Sequence, residues 1–136
     1  MGSPRTLSKK QILDAIVRRA SLADCDMRGL DLSGTCFDGV DLRRSKLAEC
    51  NLSRATFRGA DLQAASLWHS ECQDAVFDDA NLEEADFDFS NLDGCTFHNA
   101  KIRKAIFPFT RLPLKAVIES VRTGKRVRMS RRSFDD

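Results

Sequence analysis

Large apolar residues recur at every fifth position of the chain from Leu22 to Phe107. Seventeen of the eighteen positions in this column hold such a residue, and Cys72 is the exception. Two residues earlier, a second column from Ala20 to Ala105 holds Ala, Cys, Ser or Thr at sixteen of its eighteen positions. The residue between the two columns is mostly polar. The repeating unit is therefore small–polar–large–x–x, and it runs without insertion through residues 20–109.

A period of five residues fits neither an α-helix nor an ordinary strand, whose periods are about 3.6 and 2. On a helix the large residues would spiral around the axis and bury nothing. A coil with a bend in every unit instead turns the large and small residues inward and the other three toward solvent. Such coils bury their side chains by stacking on one another, so the pattern predicts a solenoid.

The segments AASLW, ANLEE, ADFDF and SNLDG resemble the A(D/N)LxX unit of the pentapeptide-repeat proteins. The resemblance implies an all-β solenoid, a right-handed quadrilateral β-helix with twenty residues per coil and about four and a half coils here. A spacing of twenty residues between phenylalanines independently predicts one stacked column inside a single face. That column consists of Phe37, Phe57, Phe77 and Phe97.

Both flanks of the β-helix, which we place at residues 20–112, predict short α-helical caps. In residues 1–19, Ser8 and Gln11 form a capping-box pattern at a helix start. An apolar stripe follows, made of Ile12, Leu13, Ile16, Val17 and Ala20.

The C-terminal flank predicts a second helix over residues 113–124, with Pro113 at its first position and Gly124 at its end. The apolar residues of this helix form either a lid on the last coil or a homodimer interface, and the sequence leaves both open. They are Leu114, Val117, Ile118 and Val121. Residues 125–136 are predicted to be a basic, mobile tail.

Composition narrows the class of protein. The chain has 136 residues, 42% of them hydrophobic, which suits one compact domain. Its net charge of +2 points to no polyanionic partner, and we expect no nucleic acid to bind. No run of 18 apolar residues and no signal-type N-terminus is present, so we expect a cytoplasmic protein without a membrane partner.

Catalytic and metal-binding patterns are missing from the sequence. The motifs His69-x-x-Cys72 and Cys95-x-x-His98 each resemble half of a metal site. The repeat register, however, turns both cysteines inward and both histidines outward. No glycine-rich phosphate loop, nucleophile elbow or HExxH motif occurs. We therefore expect no enzymatic activity, no cofactor and no metal.

An acidic belt is one of two surface features that rise above the repeat, because no Lys or Arg occurs between Arg58 and Lys101. The belt either binds a partner with a basic surface or only keeps the rod soluble. It consists of Glu71, Asp74, Asp78, Asp79, Glu83, Glu84, Asp86 and Asp88.

The second feature is an aromatic surface formed by Trp68, His69, Phe89 and Phe109, all at outward positions of the repeat. Exposed aromatic residues are typical of binding hot spots. The C-terminal segment could instead fold back and cover them, and the sequence leaves that alternative open.

Two functions follow from these features. The first is a non-catalytic bacterial protein–protein interaction module, or adaptor, with an unidentified protein as partner. The second is implied by the resemblance, because some pentapeptide-repeat proteins mimic duplex DNA, bind DNA gyrase or topoisomerase IV, and protect against quinolones or toxins. Only the acidic belt favours the second, whereas the short rod and the positive net charge argue against it. The sequence therefore favours the interaction module.

Overall fold

The chain winds in coils of twenty residues in a computed structural model that describes residues 5–131. Parallel bridges join each bridged residue to the one twenty positions later, from Asp26↔Lys46 to Asp86↔Ile106. The bridges fall into four columns, which begin at Asp26, Asp31, Cys36 and Asp41. Four bridged columns per twenty residues give each coil four sides, as the pentapeptide pattern predicts.

Backbone hydrogen bonds explain why each unit repeats the same shape. From Leu22 to Phe87, the N–H of each large residue donates to the coil that follows, as Phe37 does to the carbonyl of Thr56 at 2.7 Å. The N–H of the polar residue donates to the coil before, as Thr56 does to Thr35 at 3.0 Å. Asp and Asn suit the polar position because their side chains accept the N–H two residues later, as Asn81 Oδ1 does from Glu83.

The core is a stack of the inward columns. Consecutive rings of Phe37, Phe57 and Phe77 lie 5.0 and 4.9 Å apart and within 5° of parallel. Phe97 continues the stack at 5.3 Å from Phe77. The predicted phenylalanine column is therefore confirmed. A second stack pairs Phe87 with Phe107 at 5.4 Å and meets the first edge-on.

Helix α1, Lys9–Val17, follows a short strand that the sequence did not reveal. Ser8 accepts from the N–H of Gln11, whose side chain accepts from the N–H of Ser8, so the capping box forms as predicted. Ile12 is fully buried, but Leu13 and Val17 are 41% and 82% exposed, and Ala20, which lies beyond the end of the helix, is exposed too. The predicted stripe is therefore wrong at those three positions. One face of this short helix reaches the first coil, and Leu13 and Val17 lie off that face.

Strand β1, Arg5–Thr6, precedes α1 and pairs in parallel with strand β2, Cys25–Asp26. The N–H of Leu7 extends this pairing to the carbonyl of Asp26 at 3.0 Å. Because the pairing uses main-chain groups and both β1 residues are exposed, the hydrophobic pattern of the sequence does not predict this strand.

Helix α2, Leu114–Thr123, begins after Pro113, which is the N-cap rather than the first helical residue, and ends at Gly124 in the left-handed conformation. Its buried residues are Val117 and Ser120, and the Oγ of Ser120 accepts from the N–H of Phe97 at 3.0 Å. Leu114 and Ile118 are 48% and 52% exposed. The four predicted residues therefore do not form one face, since Val117 packs on the coil and two of the others face outward.

Residues 125–131, which we call the C-terminal strap, are not the mobile tail that their composition predicts. Val127 is buried, accepts from the N–H of Gly94 at 2.8 Å, and donates to the carbonyl of Cys95 at 2.9 Å. The prediction is wrong here because main-chain pairing to the last coil holds a segment with few apolar residues. The rest of the predicted tail, residues 132–136, lies outside the described residues.

Thiol reactivity gives a direct test of the inward register. Four of the five free cysteines are buried, and Cys36 is exposed. Burial raises the pKa of the Cys72 thiol to about 12 and that of Cys95 well above its ordinary value. We expect Ellman's reagent to label Cys36 rapidly in the native protein and the other four only after denaturation. Cys36→Ser should abolish the fast phase, whereas a second fast thiol would show that a coil opens.

Candidate protein-binding surface

The aromatic surface lies where two consecutive coils turn the same corner. Trp68 follows the buried Leu67, and its ring centre is 5.1 Å from that of His69 and 6.1 Å from that of Phe89. The Trp68 and Phe89 rings meet edge to face at 75°. Trp68 is 39% and Phe89 67% exposed, so both point outward as predicted.

Phe109 extends the surface by way of a groove rather than by ring contact with Phe89. Its nearest ring is that of the buried Phe107, at 6.0 Å. A groove of about 460 Å³ is lined by Phe89, Phe109 and Ile106 among others. Ile106 is 47% exposed and was missed by sequence reasoning. The signal was present, because an isoleucine here occupies the polar position of its repeat.

The backbone of Phe89 is unusual for so large an exposed side chain. Its φ is 59°, in the left-handed region that costs an L-residue roughly 1–2 kcal/mol. The other non-glycine residues with positive φ in residues 5–131 are charged, polar or alanine. Because the Phe89 side chain is 67% exposed, it buries too little apolar surface in the core to offset this backbone cost. Folding therefore does not explain the choice of Phe89.

The acidic belt surrounds the rod instead of forming one face. Its members come in pairs from four consecutive pentapeptides, and each pentapeptide forms a different side. The strap neutralises part of this region, because Arg126 lies 3.7 Å from Asp74 and Arg128 lies 3.6 Å from Asp93. The carboxylates of the belt therefore lie on all four sides of the rod, and within residues 5–131 only Asp74 among them has an ion-pair partner.

Several acids in the first coils have close cationic partners. Arg43 hydrogen-bonds to Asp41 and holds the pKa of that carboxyl at about 2. Arg44 pairs with Asp24 at 2.7 Å and lowers the pKa of Asp24. By contrast, neither Asp86 nor Asp88 forms an ion pair within residues 5–131. These two carboxylates flank Phe87 beside the aromatic surface.

The two histidines and their nearby cysteines are not brought together. Cys72 and Cys95 are buried in the core, whereas His69 is exposed and His98 is half-buried. Across residues 5–131 no group of three His, Cys, Asp or Glu side chains is placed to hold a metal ion. In the same part of the chain, no helix has the length and apolar character needed to cross a membrane.

The sequence profile of the pentapeptide repeat region matches residues 34–107, and that of pentapeptide repeats in eight copies matches residues 14–44. The first match alone spans more than half of the chain. The chain belongs to the pentapeptide-repeat family. No curated protein is significantly similar to it in sequence.

Solved structures of other pentapeptide-repeat proteins share the fold. A protein from Nostoc PCC 7120 is 29% identical, with a TM-score of 0.73 over 85% of this chain and 97% of its own. A protein of the Arabidopsis thaliana thylakoid lumen is 35% identical, with a TM-score of 0.58 over 59% of this chain. Rfr23 of Cyanothece 51142 is 28% identical, with a TM-score of 0.63 over 65%. The match spans 55% of the Arabidopsis protein and 61% of Rfr23.

Proposed function

We propose that this pentapeptide-repeat protein is a non-catalytic protein–protein interaction module that presents the aromatic surface to a partner. The observation that carries the proposal is Phe89, which is 67% exposed at a left-handed corner and contacts Trp68. Large aromatic side chains bury much area at low entropic cost when a partner covers them. The surface therefore has the composition of a binding site and no evident role in folding.

The β-helix supports this proposal by holding the surface in one shape. The N–H of Leu67 donates to the backbone carbonyl of Asp86 at 2.7 Å, and the N–H of His69 donates to the backbone carbonyl of Asp88 at 2.9 Å. These bonds fix the two coils that carry Trp68 and Phe89, so little backbone order must be gained on binding.

The proposal places the protein in the bacterial cytoplasm, which accords with its five free thiols.

Phe89→Asn should separate binding from folding. Asparagine tolerates the left-handed conformation, so we expect the free energy of unfolding to stay within about 0.5 kcal/mol or to rise slightly. The immobilised wild-type protein should retain partner proteins from a lysate of the source organism. The immobilised Phe89→Asn variant should not retain them. Quantitative mass spectrometry measures the loss, and titration of the purified partner against Trp68 fluorescence gives the change in affinity.

Ala64→Asn is the matched control, because Ala64 is also an exposed corner residue with positive φ but is uncharged, lies outside the acidic belt, and lies on another side of the rod. It should retain the same proteins as the wild type. Equal retention by Phe89→Asn and the wild type would contradict the proposed function.

The DNA-mimic alternative, with gyrase as partner, has weaker support. The acidic belt encircles the rod, and Asp74 is paired with Arg126 of the strap. A gyrase supercoiling assay with added protein tests it at two salt concentrations. Inhibition that weakens with salt would favour the mimic, and no effect at either salt would exclude it.

A further inference from the structure

We infer that the aromatic surface binds an extended peptide segment of a partner protein in which an apolar side chain is flanked by Lys or Arg. This inference rests on the proposed function and adds the chemistry of the partner. It follows from the charges beside the surface and from the way the strap binds the neighbouring sides of the same coils.

Carboxylates border the aromatic surface on several sides. Asp88 precedes Phe89 directly and lines the groove. Asp86 is two residues earlier, and its Oδ1 accepts from the N–H of Asp88 at 2.9 Å. Glu49 occupies the same corner one coil earlier, where its N–H donates to the carbonyl of Trp68 at 2.9 Å. Glu71 lies two residues after His69.

None of these four carboxylates has an ion-pair partner in the part of the chain that the structure describes. The cation that lines the groove is Arg111, whose Nε donates to the carbonyl of Ser130 at 2.9 Å and whose charge is retained. Four carboxylates against this one guanidinium give the apolar centre a net negative border, which favours a partner segment that carries positive charge beside an apolar residue.

The strap shows how these coils bind such a segment. Val127 is buried, and the Sδ of Met129 lies 2.9 Å from the N–H of Leu92, while Arg126 and Arg128 lie near Asp74 and Asp93. Basic and apolar residues thus alternate along an extended stretch, with the apolar ones against the coil and the basic ones beside carboxylates. The aromatic surface offers the same pair of features on the adjoining side, and its aromatic residues remain exposed.

A peptide array tests the inference. The probes are 12-residue peptides with a central Phe, Leu or Met, flanked by Arg and Lys, by Asp and Glu, or by Ser. We expect the basic-flanked peptides to bind the wild-type protein at least tenfold more tightly than the acidic-flanked ones, with affinity that falls as salt rises. Binding of the best probes should change Trp68 fluorescence and be lost in Phe89→Asn.

Asp86→Asn combined with Asp88→Asn isolates the charge contribution. Asparagine Oδ1 can still accept the backbone hydrogen bonds that the two aspartates accept, from Asp88 and from Phe89. The double variant should therefore fold normally, keep its binding of Ser-flanked peptides, and lose most of the preference for basic flanks. An unchanged preference would overturn the inference.

The failures of the two proposals are distinguishable. Phe89-dependent binding without preference for basic flanks would overturn this inference and leave the interaction module standing. No binding by any peptide would overturn the inference, while the capture experiment would still decide the proposed function.

Two other occupants of the surface would also overturn the inference. Deleting residues 132–136 would increase acrylamide quenching of Trp68 if that segment covers the surface. A molar mass that doubles with concentration in light scattering, and does so only when Phe89 is present, would identify a second copy of the chain.

Discussion

Replacing Phe77 with alanine should lower the free energy of unfolding by about 3–5 kcal/mol. Phe77 lies in the middle of the ring stack, 4.9 Å from Phe57, 5.3 Å from Phe97 and 5.3 Å from the edge-on Phe87. Backbone hydrogen bonds between successive coils fix their spacing, so the coils cannot close over the missing ring. The cavity should stay largely open, which places the cost near the upper part of the range for such changes.

Urea unfolding followed by circular dichroism measures this change, provided that a single transition is retained. Phe89→Ala is the matched control, because it removes the same ring from an exposed position and should cost far less. A loss of less than about 1 kcal/mol at both Phe77 and Phe57 would be incompatible with a tightly packed phenylalanine column.

Val127→Asp should release the C-terminal strap at a cost of about 3 kcal/mol. The substitution removes a side chain that is 1% exposed and places a carboxylate where no cation is buried to receive it. Because Val127 accepts from the N–H of Gly94, hydrogen exchange at that amide reports the release directly. We expect its protection to fall roughly a hundredfold, since each factor of ten corresponds to about 1.4 kcal/mol.

Arg128→Ala is the comparison that decides what holds the strap. Arg128 pairs with Asp93 at 3.6 Å, but the two side chains are 67% and 45% exposed, so the pair should contribute at most about 1 kcal/mol. If Arg128→Ala accelerated exchange at Gly94 as strongly as Val127→Asp, charge rather than burial would anchor the strap.

The repetitive part of the fold was predictable because its determinants are local and repeat in phase. Every pentapeptide supplies its own inward residue and its own turn, so the sequence alone predicts the phenylalanine column and the outward placement of Trp68 and Phe89. The capping box at Ser8 was equally predictable, since it depends on two residues three positions apart.

The parts that sequence reasoning missed depend on pairing between distant segments. β1 and the strap join the β-helix through main-chain hydrogen bonds, which leave almost no trace in residue type. The composition of the strap predicts a solvated basic segment, whereas in the structure the backbone of Val127 hydrogen-bonds to both Gly94 and Cys95. The charge pattern near Phe89 was hidden for the same reason, because ion pairs such as Arg126 with Asp74 join residues far apart in sequence, and only the folded chain shows that none within residues 5–131 reaches Asp86 or Asp88.

Because each coil has four sides and twenty residues, the number of pentapeptides between two surface residues sets the angle between them around the rod axis. Removing one pentapeptide from between residues 69 and 88 would keep the inward or outward placement of every remaining residue but turn the following coils back by a quarter of a revolution, so that Phe97 would leave the column that begins at Phe37. Phe89 would then leave the side that carries Trp68, and the two rings would part although the core composition hardly changed. Insertion of a whole coil there would instead keep the angle and lengthen the separation by one strand spacing, about 4.8 Å. Angular phase and axial distance between surface residues can thus change independently in this architecture.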